Sequence, residues 1–123
     1  MNTQQLGHLT TARIYDEPVP DRYRILVDRL WPRGVSKERA ALDEWLKDIA
    51  PSAPLRTEFA HMASRFEEFS AEYREELQAH PEPVDHVVGL LRDGRDVELL
   101  YAAKDREVNH ALVLRTYLLE RLE

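Results

Sequence analysis

Tyr23-Arg24-Ile25-Leu26-Val27-Asp28 decides how this chain folds. Its three consecutive apolar residues lie between the turn-rich Asp16–Asp21 and the irregular Trp31-Pro32-Arg33-Gly34. A short apolar run rich in β-branched residues and bounded by turn signals is the pattern of a strand buried on both faces. Beyond it, proline lacks the amide donor and glycine loosens the backbone, so regular structure stops. Asp96–Tyr101 (DVELLY) has the same character, and Thr11–Tyr15 (TARIY) reads as a shorter strand. Two buried strands joined by a long helical connection should lie parallel in one sheet. The expected fold class is therefore α/β: a mixed, mainly parallel sheet with helices on both faces, in a single compact domain of residues 1–123. Residues 1–10 are expected to be a flexible tail.

The connecting helices follow from apolar spacing and caps. Ser36 can cap a short helix ending near Ala41. Leu42, Trp45, Leu46 and Ile49 match helical spacing, yet Pro51 and Pro54 soon interrupt, so this stretch stays open. Ser52 begins a helix through Phe59. Ser64-Arg65-Phe66-Glu67 reads as a capping box opening a helix over 65–78. Phe66, Phe69, Tyr73 and Leu77 share one face of that helix, while Glu68, Glu72, Glu75 and Glu76 point mostly to water. His80–Pro83 reads as a link. Val84, Val87, Val88 and Leu91 form a helix stopped at Asp93-Gly94. Asp105 is the expected cap of the last helix, with Val108, Ala111, Leu112, Leu119 and Leu122 toward the core.

Composition narrows the functional classes. At 123 residues, with 43% hydrophobic and 33% charged residues, the chain can bury a core and is not a disordered tract. No apolar run approaches the roughly 20 residues of a membrane helix, and no secretory leader is legible, so a cytoplasmic protein is expected. Cysteine is absent, which excludes disulfides, zinc–thiolate sites and thiol nucleophiles within the chain. The five histidines do not pair at helical zinc spacing, so neither metal nor cofactor is expected. Residues 29–39 carry four basic side chains against one acidic, a local +3, which leaves −9 for the rest of a chain of net charge −6. A small cationic patch on an acidic protein suits a small anion and argues against nucleic acid, whose polyanion the remaining surface repels. Nothing in the pattern fixes an oligomeric state.

In open α/β sheets ligands sit beyond the carboxyl ends of the strands. That rule selects Asp28–Gly34 after one strand and Tyr101–Asp105 after another. Arg29 and Arg33 offer planar forks for carboxylate or phosphate, Lys104 adds a point charge, and Trp31 supplies an apolar wall. Asp28 and Asp105 are placed to orient the bases. Each has a plainer structural reading. Asp28 can tie down a loop through an arginine, Trp31 and Pro32 can be packing, Asp105 a helix cap, and His110 surface or packing. No nucleophile–base pair or glycine-rich phosphate loop stands out, and Gly34 alone is not one. Whether the protein is an enzyme stays open, and a nucleic-acid-associated, regulatory or partner-binding module without catalysis is the alternative to a small-anion pocket for phosphate, carboxylate or nucleotide.

Asp28-Arg29-Leu30-Trp31-Pro32-Arg33-Gly34, Trp45-Leu46-Lys47 with Ala50-Pro51-Ser52, and Leu99–Asp105 together resemble the YeaO-like branch of the domain of unknown function 488 family. The resemblance covers nearly the whole chain. It implies a small bacterial cytoplasmic protein, and it adds Lys47, Ser52, Tyr101 and Asn109 to the candidate residues. The wider family includes a branch with two cysteines near the last strand and helix. Tyr101 and Asn109-His110 stand in that region here, so sulfur chemistry does not carry over.

Overall fold

In the computed structural model, which describes residues 5–59 and 63–123, the first strand signal is realised as β2 (Tyr23–Leu26). It lies beside β4 (Val97–Tyr101), and β1 (Leu9–Arg13) and β3 (Glu44–Trp45) flank the pair in the order β1-β4-β2-β3. Every pairing is parallel, with Leu9 opposite Val97, Arg24 opposite Glu98 and Leu26 opposite Trp45. The α/β class expected from the sequence holds, and the sheet is parallel throughout its described strands. The expected tail falls partly on residues 1–4, outside the described residues; Leu9 and Thr10 belong to β1.

Period-two alternation divides the apolar side chains between two cores. Val97, Leu99 and Tyr101 of β4 join Leu9, Ile25 and Val27 in the larger one. That core is covered by α2 (Ala53–Phe59), α3 (Phe66–Ala79), α4 (Pro81–Arg92) and α5 (His110–Arg121). Leu100, Leu26 and Ile14 face the other way, against Ala40 of the one-turn α1 (Lys37–Ala40), Val35 and the Trp31–Trp45 pair. Helices thus lie on both faces, but very unequally. All five residues of β4 are buried, as the central position of that strand demands. No helix among the described residues is long and apolar enough to cross a membrane.

One charged pair is buried within the smaller core's face of the sheet. Arg24 Nη1 donates to Glu98 Oε1 at 2.7 Å, with both residues 5% exposed or less. The rest of the guanidinium serves the end of α1: Nη2 donates to the Ala40 carbonyl at 2.9 Å and Nε to that of Ala41 at 3.1 Å. A desolvated cation is tolerable only when fully bonded, and this one is.

Several local expectations change. Leu42–Ile49 is not a helix. Asp43 bonds to Arg24 through its backbone N–H and its carboxylate, and Leu46 N donates to Leu26 O, so the segment is drawn alongside β2 before a 3₁₀ turn at Lys47–Ile49. Ser64 does not cap α3; it lies inside a 3₁₀ turn (Ala63–Arg65), and the residue preceding the helix is Arg65, without a side-chain cap. Pro81 and Pro83 are not in a link but in the first turn of α4, where a missing amide donor costs nothing. The last helix starts later than expected. Asn109 Oδ1 accepts from Leu112 N and caps it, while Asp105 Oδ1 accepts from Glu107 N and Val108 N in the preceding turn. The later start rephases α5, which buries Ala111, Val113, Leu114, Tyr117 and Leu118 and leaves Leu119 exposed.

Candidate functional site

Because the strands are parallel, the segments leaving β2, β3 and β4 emerge at one edge. Asp28 joins two of them directly: its Oδ2 accepts from Ala102 N at 2.9 Å, and its carbonyl accepts from Trp45 Nε1 at 2.7 Å. Its other oxygen, Oδ1, is buried and lies 3.0 Å from His110 Nε2, but makes no hydrogen bond. That imidazole nitrogen is also 3.0 Å from the Val27 carbonyl, its hydrogen-bond partner. Asp28 therefore engages the β4 loop and α5, not the arginines it was expected to orient.

Arg29 is fixed in place by the backbone. Nε donates to Pro51 O at 3.2 Å and Nη2 to Ala50 O at 3.3 Å, which leaves Nη1 without a bond among the described residues. Arg29 lines a cleft of about 160 Å³ shared with Asp48, Ser52, Tyr73, Glu76 and His80. Ser52 is held in turn by Glu76: its hydroxyl donates to Oε2 at 2.6 Å and its N–H to Oε1 at 2.9 Å. The same hydroxyl accepts from Leu55 N at 3.3 Å, so Ser52 caps α2 as well. Tyr73 is fully buried and donates to Ile49 O at 2.6 Å. Burial pushes its hydroxyl well above the usual tyrosine range; the Glu76 and Asp28 charges push the same way and Arg29 opposes them. Glu76 thus leaves the solvated glutamate row in which the helical pattern placed it.

The remaining candidates divide between anchors and free charges. Trp31 is an anchor, since its Nε1 donates to Val35 O at 2.7 Å and its ring meets Trp45 edge-on at 5.3 Å. Lys47 is exposed and lays its ammonium 4.1 Å from the centre of the Trp45 ring. Tyr101 is buried; desolvation raises its hydroxyl above the ordinary value, and a hydrogen bond with the Asn109 side chain is among the opposing influences. Asn109 Nδ2 donates to Asp105 O at 2.9 Å, which ties Asn109 and Asp105 into one turn. Arg33 and Lys104 are exposed and have no side-chain partner among the described residues. Their loops are nonetheless linked: Tyr15 donates to Arg33 O at 3.0 Å, Arg13 lies over the Tyr15 ring at 5.0 Å, and Arg13 Nε donates to Ala103 O at 2.9 Å.

Sequence reading thus missed Asp48, Tyr73, Glu76, His80 and His110 at this edge. Glu76 had a faint signal, because it falls one residue before the buried Leu77 and its outward row borders the apolar face of α3. The others carry none, as their neighbours are distant in sequence. Among the described residues no three histidine, aspartate or glutamate side chains gather in a way that would hold a metal ion.

A four-stranded parallel α/β domain with an arginine-bearing cleft at its carboxyl edge is the class that this geometry defines. Residues 8–123 match the family model DUF488-N3i, described as the inactive DUF488-N3 subclade, and the chain belongs to that family. It is 43% identical over 112 residues to Uncharacterized protein YeaO of Escherichia coli (strain K12), covering 90% of this chain and 96% of that protein. The YeaO-like resemblance read from the Asp28–Gly34 run and the two later stretches is therefore correct. Uncharacterized proteins Mb3100c of Mycobacterium bovis and Rv3073c of Mycobacterium tuberculosis are each 46% identical over 67 residues, 54% of this chain and 57% of theirs. No solved structure matches the chain.

Proposed function

We propose that this protein is a non-catalytic binder of a small molecule carrying a carboxylate or phosphate, seated in the cleft beside Arg29. The observation that carries the reading is a guanidinium immobilised by the Ala50 and Pro51 carbonyls with one nitrogen left over, in a residue that lines that cleft. A planar fork held in advance loses little freedom when it binds an oxyanion. Ser52 lines the same cleft, and the loops carrying Arg33 and Lys104 leave the same edge of the sheet. Asp28, Trp31, Lys47, Tyr101, Asp105 and Asn109 support the loops rather than touch the ligand.

Two facts support binding without catalysis. The serine hydroxyl of the cleft is already committed to Glu76 and to the start of α2, and the matching family is described as inactive. Volume selects among ligands. About 160 Å³ is below the roughly 300–1,000 Å³ of drug-sized sites, which favours a small acid or sugar phosphate over a whole nucleotide. Calorimetric or NMR titration with inorganic phosphate, acetate, a pentose phosphate and a nucleoside monophosphate tests this. Millimolar binding of the small anions is expected, with Arg29→Gln weakening it at least about tenfold. No binding by any of them at about 10 mM, or an Arg29→Gln variant that binds as wild type does, overturns the proposal.

A further inference from the structure

Resting on that reading, we propose that the ligand of the cleft is zwitterionic: a small molecule with an ammonium group as well as a carboxylate, of the size and charge of a small amino acid. The argument is one of charge balance. Arg29 is the cleft's guanidinium, but Asp48 and Glu76 line the same space, so two carboxylates stand against one fixed cation. A bare anion gains the arginine and is repelled by both acids. A bare cation meets the reverse. A molecule presenting one group of each sign satisfies all three residues.

The two acids are differently prepared. Glu76 is fixed by both bonds from Ser52, and each of its oxygens retains a second acceptor direction. Asp48 is exposed and its carboxylate has no partner among the described residues, so it is free to take an ammonium donor. Glu76, Arg29 and Tyr73 line the same cleft, so the fixed carboxylate and the fixed guanidinium border one space. The space also agrees. A cleft of about 160 Å³ suits a molecule well below drug size.

NMR titration of the full-length protein with acetate, methylammonium and alanine, at equal ionic strength, tests the inference. Alanine is expected to bind at least about tenfold more tightly than either single-charge probe, with shifts centred on residues 48–52 and 76–80. Asp48→Asn, an exposed substitution that should leave the fold intact, is expected to reduce that preference by at least about threefold while leaving acetate binding equal or stronger. If acetate binds as tightly as alanine, or Asp48→Asn leaves the preference unchanged, the zwitterion inference fails while the Arg29 anion site survives. If none of the three binds, and phosphate does not bind either, both readings fall.

Discussion

Glu98→Ala should be the most damaging single truncation of a charged residue in this protein. The variant leaves the Arg24 guanidinium in the smaller core's face of the sheet, with its 2.7 Å partner gone and only the Ala40 and Ala41 carbonyls around it. Breaking a buried pair by removing one partner costs about 3–5 kcal/mol. A chain of 123 residues has a total stability of about 6–18 kcal/mol at 0.05–0.15 per residue, so the loss removes a large share of it. With an unfolding entropy of about 2.1 cal/mol/K per residue, or about 0.26 kcal/mol/K here, Tm falls by about 12–19 °C. Urea denaturation followed by circular dichroism, with calorimetry for Tm, measures it. The Arg24→Met/Glu98→Leu double variant should be at least about 2 kcal/mol better than the sum of its singles, because neither charge is stranded. A Glu98→Ala cost under about 1 kcal/mol, or single costs that add within about 0.5 kcal/mol, would refute the view that the two act as one desolvated unit.

Three further outcomes are expected. Ser52→Ala loses both its 2.6 Å bond to Glu76 and the cap on Leu55 N, and should cost about 1–2 kcal/mol in urea unfolding; an unchanged midpoint would contradict it. Ala41 is exposed at φ +49° as the C-cap of α1, so Ala41→Gly should relieve left-handed strain and raise stability by about 0.5–1 kcal/mol, or about 2–4 °C in Tm. A lower Tm would show that the methyl group packs against something. Asp16 takes two 2.8 Å bonds from Arg106, and that partner holds its carboxyl below the ordinary value. A depressed carboxyl contributes stability that is complete above its unfolded value of about 4 and is lost as pH falls through the lower folded value. Thermal scans at low salt between pH 7 and pH 2 should therefore show a shallower acid decline for Asp16→Asn than for wild type. Parallel curves would remove the pair from the pH dependence.

The features that the amino-acid order determined by itself are those whose cause is local. The Ile25-Leu26-Val27 run and DVELLY are strands in any setting that buries them, because β-branched and apolar side chains fill both faces of a pleat. Ser36 caps α1, the Phe66–Leu77 stripe buries its predicted face, and Asp93-Gly94 ends α4, since caps, 3.6-residue spacing and a glycine at φ +87° act within a few residues. The Asp28–Gly34 run, together with the Trp45–Lys47, Ala50–Ser52 and Leu99–Asp105 stretches, was also enough to place the chain in its family.

Tertiary structure decided what depends on partners far along the chain. Arg24 and Glu98 are 74 residues apart and meet only because β2 and β4 pair in that register. Glu44-Trp45 becomes a strand because β2 presents an open edge to it, a condition that no helical or strand periodicity within Leu42–Ile49 records. Asp105 and Asn109 are both good caps by residue type, and the choice between them falls to the bond from the Asn109 amide to the Asp105 carbonyl. The cleft itself is assembled from the end of β2, the turn after β3, and α3, so its balance of one guanidinium and two carboxylates exists only once those segments are packed. A charge's neighbours, unlike a strand's alternation, are set by where the backbone goes, and that is why the candidate arginine could be named from sequence while its surroundings could not.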